Sequence, residues 1–336
     1  ALAWADTLQP SEKMSVTGPV IHAWARSDPS GAANHVAQMP KSQRSLDWVH
    51  ETAHIWAEQD RDAALAWAQM QTDVGIRKRA FRGAVGSWAH SDAMAAGEFA
   101  LAIENTADRH AVLETVARRW AEQSVADSLQ WAMSLDGGNR DRATMAAFEE
   151  IARHDPRLAA STFGEISSSL SNGESRDGIH SDIAREVADR LALSNPNDAA
   201  DWVLKLPEAD HVRRHAVERV AERWASSSPE EAANWVLGLP ENDHLQRHAV
   251  ERVTERWLRT DSMAASEWIS EMPEGEARDA AAGELVRYIA RSDQFSAFSW
   301  ATSVNNEGYR RDLMRDVLRR WQKTDPVAAR VAVEGA

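Results

Sequence analysis

Five consecutive residues, His50-Glu51-Thr52-Ala53-His54, have the spacing of a zinc hydrolase. Two histidines one helical turn apart can hold a zinc ion while the glutamate between them activates water. A second set of metal-capable residues occurs twice. His211, His215, Glu218 and Glu222 recur as His244, His248, Glu251 and Glu255, spaced 4, 3 and 4 apart in both copies. On a helix that spacing places all four side chains on one face. Such a face could take a divalent ion or respond to pH. A third set consists of arginines: Arg119, Arg190, Arg223, Arg256 and Arg320 each precede an apolar residue that recurs along the chain.

What these residues can do depends on the elements that carry them, and the chain is a repeat. Trp24, Trp56, Trp88, Trp120, Trp224, Trp257 and Trp321 occupy one slot, with Ile151, Leu191 and Ile289 filling it elsewhere. Successive anchors are 32 or 33 residues apart, apart from one gap of 31 and one of 40. The long gap holds a polar insertion, Ser167 to Gly178, which reads as a flexible loop. Four residues after the anchor stands Asp28, Asp60, Asp92, Asp155, Asn195, Ser228, Asp261, Asp293 or Asp325, followed in five units by Pro29, Pro156, Pro196, Pro229 or Pro326. A short polar residue followed by proline is a helix N-cap, so one helix ends at the anchor and a second begins at once. Eight residues after the anchor comes alanine, or Ser128. Eleven after comes Trp67, Phe99, Trp131, Trp202, Trp235, Trp268 or Trp300, and fifteen after an aliphatic residue such as Leu135 or Leu239. These offsets predict one buried face of the second helix. Pro40, Pro207, Pro240 and Pro273 stop it. The first helix carries its own stripe, for example Val217, Val220 and Trp224.

The unit resembles the tetratricopeptide-like superfamily of helical hairpin repeats. The likeness lies in Ser27-Asp28-Pro29 followed by Ala32, and in the run from Ser228-Pro229 through Ala232 to Trp235. The chain reads as a divergent class with Trp-Ala-x-x-Asp-Pro-x-x-Ala-x-x-Trp units. The expectation is an all-α, right-handed α-solenoid of about ten two-helix repeats, one domain over residues 1–336 with the insertion near 167–178. The resemblance implies a scaffold that binds a protein or peptide on its concave, first-helix face. Ala1, Trp4 and Leu8 match a second helix whose first helix is missing, and the last unit stops within its second helix. Solenoids need polar terminal caps, so the chain reads as a fragment of a longer array or as ends that join a larger assembly.

The register also decides how the motifs read. His50 and His54 share a column with Arg82 and Gly86, Glu114 and Arg118, Glu218 and Glu222, and Glu251 and Glu255. That column is a variable polar surface, no third ligand follows, and His50 and His54 read as surface residues. The duplicated stripe reads as a recent duplication in which Arg214–Glu218 and Arg219–Glu222 are helix-face charge pairs.

Composition supports this reading. The chain has 15 Trp against 2 Tyr and 6 Phe, which a repeated core position explains. Its net charge of −14 argues against nucleic acid and for a neutral or basic protein partner. Cysteine is absent, which excludes disulfides and thiolate chemistry; it points towards an exported bacterial protein but leaves the compartment open. No apolar run is long enough to span a membrane. The sequence-based function is therefore a non-enzymatic interaction scaffold without a cofactor. The residues expected to meet the partner are Glu218, Glu222, Glu251, Glu255, Arg82, Arg118, Arg315 and Arg319. The alternatives are a metal-binding protein or zinc hydrolase using His50, His54, His211, His215, His244 and His248, and a structural spacer in a larger envelope protein.

Overall fold

A computed structural model describes residues 10–170, 176–207, 211–240 and 245–334. Ala1, Trp4, Leu8 and His244, named above, lie outside the described residues. The described residues are all-α, with helices alternating between a longer first and a shorter second member. The chain divides into two compact units, residues 1–155 and 156–336.

In the first unit, the first helices are α1 (Pro10–Ser27), α3 (Gln43–Gln59), α5 (Val74–Ser91), α7 (Thr106–Ala121) and α9 (Gly137–His154). The second helices are α2 (Pro29–Ala37), α4 (Arg61–Met70), α6 (Ala93–Ala102) and α8 (Val125–Ser134). Each first helix packs on the first helix before it, and each second helix lies between two successive first helices.

The second unit begins with a second helix, α10 (Pro156–Leu170). Then come α11 (Arg176–Ser194), α12 (Pro196–Lys205), α13 (His211–Ala225), α14 (Pro229–Leu237), α15 (Leu245–Thr260), α16 (Ser262–Glu271), α17 (Glu276–Ile289), α18 (Gln294–Thr302), α19 (Glu307–Thr324) and α20 (Pro326–Glu334). The same packing holds there, α11 on α13, α13 on α15 and α15 on α17.

The helix boundaries follow from local chemistry. The backbone N–H of Asp28, Asp60, Asp92, Asp261 and Asp325 donates to the anchor carbonyl four residues back, closing the first helix. The same aspartates accept from a backbone N–H of the next helix, at 2.9–3.1 Å, opening the second. One residue thus ends one helix through its backbone and starts another through its side chain. Ser228 differs: it stands at the cap position but its side chain makes no cap hydrogen bond. Ser124, which follows Trp120 at the same offset, does cap, accepting from Asp127 N–H at 3.3 Å.

Of the insertion, Ser171 to Ser175 lie outside the described residues. Ser167 to Leu170 continue α10, and Arg176 to Gly178 already belong to α11. Serine and arginine are compatible with helix when the preceding turns supply the nucleus. The extra residues therefore lengthen α10 to 15 residues, where most second helices have 9 or 10.

The core lies between the two helix types. All ten residues eight positions after the anchor are sealed, from Ala32 at 0% to Ala329 at 1% exposed. Ser128, the one hydroxyl among them, donates to the carbonyl of Ala117 at 2.8 Å, which satisfies a group otherwise costly to bury. Offset 8, Leu135, Leu206, Leu239, Met272 and Val304 at offset 15, and Trp67 and Trp131 at offset 11 are buried as expected, and offset 12 joins them. Offset 12 is the deeper position, with Val36, Ala68, Ala100, Ala132, Phe163, Val203, Val236 and Ile269 all buried. The aromatic residue at offset 11 instead leans on its own anchor. Ring centroids are 5.9 Å apart for Trp56–Trp67, 5.4 Å for Trp120–Trp131, 5.7 Å for Trp224–Trp235 and 5.5 Å for Trp257–Trp268. The opposite edge of the indole reaches the preceding second helix. Trp67 Nε1 donates to Asn34 Oδ1 at 3.1 Å, and Trp202 Nε1 to the Ala160 carbonyl at 3.1 Å. An aromatic pair of this kind contributes about 0.5–1.5 kcal/mol beyond its buried area.

Candidate functional site

The first helices turn away from the core the residues two, six and nine positions before the anchor, about half a helical turn from it. In the first unit these are Asp47, His50 and His54 on α3, Arg79 and Arg82 on α5, Glu114 and Arg118 on α7, and Arg142 and Glu149 on α9, while Gly86, at the same register on α5, is buried. Side chains from neighbouring helices meet across this face. Arg79 pairs with Asp47 at 3.5 Å, Arg142 with Glu114 at 3.6 Å, and Arg118 with Glu149 at 2.7 Å. His22 on α1 reaches Glu51 at 3.6 Å.

Helices α3 and α5 approach closely because position 83 is glycine. A Cβ there would lie 2.2 Å from the His50 carbonyl oxygen and 3.0 Å from Ala53 Cβ. The approach brings the His50-Glu51-His54 segment beside Arg82. The two imidazoles lie parallel, 6.4 Å apart between ring centres and 5° from coplanar orientation. Ligands of one zinc ion must converge to about 2.0–2.1 Å from it. Here Glu51 turns to His22, and His54 turns to Glu58 at 3.6 Å. Among the described residues no three His, Asp or Glu side chains are grouped to hold a metal ion.

The patch carries charges of both signs, Arg79, Arg118 and Arg142 standing with Asp47, Glu114 and Glu149. Burial lowers the pKa of His50 below the ordinary imidazole value; His54, Arg119 and Arg82 act the same way and Glu51 opposes them. Arg82 is solvent-accessible, yet desolvation by surrounding protein lowers its pKa, helped by Arg118 and Arg79 and opposed by Glu114.

The second unit carries the duplicated stripe. Glu218 lies 3.8 Å from Arg214 and 4.0 Å from His215, and Glu222 lies 3.1 Å from Arg219. Glu251 lies 3.3 Å from Arg247 and 3.1 Å from His248; Glu255 lies 2.9 Å from Arg252 and 2.6 Å from Arg259. The glutamates therefore pair along their own helices. Burial raises the pKa of Glu284 on α17, and Glu251 and Glu255 add to the rise. His211, Arg214 and His215 on α13 face Ser181, Asp182 and Arg185 on α11 across a groove of about 430 Å³. Arg315 and Arg319 pair with Asp312 at 2.9 Å and Asp316 at 3.8 Å, and all four are exposed.

Among the described residues, Arg223 is the one arginine beside the anchor that pairs with a neighbouring helix. It makes a two-pronged contact with Asp189, at 2.7 and 2.8 Å. Arg119 and Arg190 pair within their own helices, with Glu122 and Glu186. A different arginine column escaped the sequence reading. Eleven positions before the anchor, Arg77, Arg109, Arg140 and Arg310 donate to the carbonyls of Gln71, Ile103, Leu135 and Val304 at 2.7–2.8 Å. Each closes the C-terminus of the preceding second helix. The recurrence of arginine at that offset was the available signal.

Comparison with protein-family models, curated proteins and solved structures found no match.

Proposed function

We propose that the chain is a right-handed α-solenoid of about ten two-helix repeats, a divergent relative of the tetratricopeptide-like class. In this reading it is a non-enzymatic scaffold whose first-helix face receives a protein or peptide. The observation behind the reading is the side-by-side placement of equivalent polar columns, made visible by the Asp47–Arg79, Glu114–Arg142 and Arg118–Glu149 pairs. Within the first unit such a surface runs over successive first helices. The first unit presents Arg79, Arg118 and Arg142 interleaved with Asp47, Glu114 and Glu149, and the second presents Glu218, Glu222, Glu251 and Glu255 paired with arginines. A surface of that kind selects an extended partner by charge pattern.

Site-specific photo-crosslinking tests this. A crosslinker at position 82, 118, 218 or 251 should capture a protein partner. The same group at position 70 or 94, exposed apolar sites on the second helices, should not. Equal capture from both sets, or none from the first, would remove the reading.

A further inference from the structure

Three successive second helices of the second unit carry a large apolar side chain at the same exposed place. Met263 on α16, Phe295 on α18 and Val327 on α20 each stand six positions after their anchor, and they are 72%, 70% and 73% exposed. Val331, one turn further along α20, is 63% exposed. The first turn of a helix favours polar and acidic residues, which complement its free N–H groups and its dipole. Polar side chains, Arg157, Asn197 and Glu230, hold that position on α10, α12 and α14. Single apolar residues scattered on a surface need no explanation, but a row of them marks a contact site.

The row is supported from behind. The Phe295 ring meets the indole of Trp321 on α19 edge-on, with centroids 6.4 Å apart. Phe295 is thereby held against the hairpin that carries Val327, and a side chain already held loses less freedom on contact. Protruding side chains in a row form a ridge, which suits a flat partner better than an extended peptide.

The charges beside the ridge bear on what covers it. Arg259, Arg291 and Lys323 stand two positions after the anchors and Asp261, Asp293 and Asp325 four after, all exposed. Cations and carboxylates are equal in number, so two copies of the ridge need not repel each other although the whole chain carries a net charge of −14. The three carboxylates and that net charge disfavour an anionic lipid surface. Successive hairpins about 10 Å apart make the ridge about 30 Å long. With its flanks, two copies would bury about 1,000 Å² in total, the lower end for a specific interface.

We infer that the ridge of Met263, Phe295 and Val327 is a self-association surface, covered by the same ridge of a second copy of this chain in a two-fold dimer. In a two-fold interface one patch serves both copies, so Phe295, in the middle of the row, meets its own counterpart. The ridge lies on the second helices and owes nothing to the first-helix face, so either proposal can fail without the other.

Sedimentation velocity of the full chain over a concentration series tests this. An interface of this size should give a monomer–dimer equilibrium in the micromolar range. Phe295→Glu and Phe295→Lys should each weaken the dimer at least about thirtyfold, the effect of losing a central aromatic anchor. An equal mixture of the two should associate at least about tenfold more tightly than either alone, because opposite charges then face each other. Met263→Glu, which leaves the Phe295–Trp321 contact in place, should also weaken the dimer. Met94→Glu, at the same offset in the first unit, should not. Thermal midpoints followed by tryptophan fluorescence report that each variant is folded. The inference is overturned by a chain that stays monomeric up to about 100 µM, by wild-type dimerisation in Phe295→Glu or Met263→Glu, or by a mixture that associates no better than its parts. A monomeric chain that floats with phosphatidylcholine or phosphatidylserine vesicles, and no longer does so in Phe295→Glu, would assign the ridge to a lipid surface and overturn the inference as well.

Discussion

Gly97 of α6 lies flat against the indole of Trp131 on α8: a Cβ at position 97 would stand 2.8 Å from Trp131 Cζ2 and 3.0 Å from Cε2. The contact joins two second helices and fixes how closely successive hairpins approach. Gly97→Ala gains helix propensity of about 1 kcal/mol but forces a packed indole to move, an overpacking cost of about 1–3 kcal/mol. The expected result is a net loss of about 1 kcal/mol, read as a lower denaturation midpoint. Gly164 of α10 is the control, because a Cβ there meets nothing within 4 Å. Gly164→Ala should raise the midpoint, and a rise in both variants would show that the Gly97 contact is not limiting.

The caps differ in a measurable way. Asp60 accepts from the Ala63 N–H at 3.0 Å, whereas Ser228 makes no such bond. Asp60→Ala should cost about 1 kcal/mol, and Ser228→Ala close to nothing. Urea denaturation of the two variants separates them.

Two ion pairs that look alike in sequence should behave differently. Arg77 bonds to Asp108 at 2.8 Å with both side chains largely buried, at 17% and 7% exposure. Arg77→Ala strands the Asp108 carboxylate and frees the Gln71 carbonyl, so a loss of about 3 kcal/mol is expected. Arg315 and Asp312 are 61% and 66% exposed, and Arg315→Ala should stay within about 0.5 kcal/mol of the wild type. Equal losses would contradict the burial assigned to the Arg77 pair.

His50 gives stability a pH dependence of known sign. Its folded-state pKa is lowered, first by burial, then by His54, Arg119 and Arg82. The unfolded chain therefore binds the proton more readily than the folded one. The stabilising contribution is full above the ordinary imidazole value of 6.5 and is lost as pH falls below it towards the folded-state pKa. Thermal midpoints measured from pH 7.5 down to 5 should fall less steeply in His50→Gln than in the wild type. An unchanged slope would mean that His50 titrates as it does in the unfolded chain.

The period, the caps, the proline stops and the sealed alanine slot were legible in the sequence because each depends on residues close together in the chain. That His50 and His54 share one side of their helix was legible too, since they stand four residues apart. The +12 position was missed because alanine there, as in Ala68 or Ala100, looks unremarkable beside a tryptophan one residue earlier. The described ends of the insertion belong to the flanking helices, because a polar stretch can extend a helix that is already nucleated.

Local signals alone determined that this chain makes helix after helix, where each begins and ends, and which side of each is apolar. Only tertiary structure decided what lies beside what. It set Trp67 against Asn34, Arg77 against both the Gln71 carbonyl and Asp108, and Arg82 near Arg118. The reason is geometric. Those neighbours belong to different helices, and their register depends on how closely the helices approach, a distance set at contacts such as Gly83 against His50 and Gly97 against Trp131.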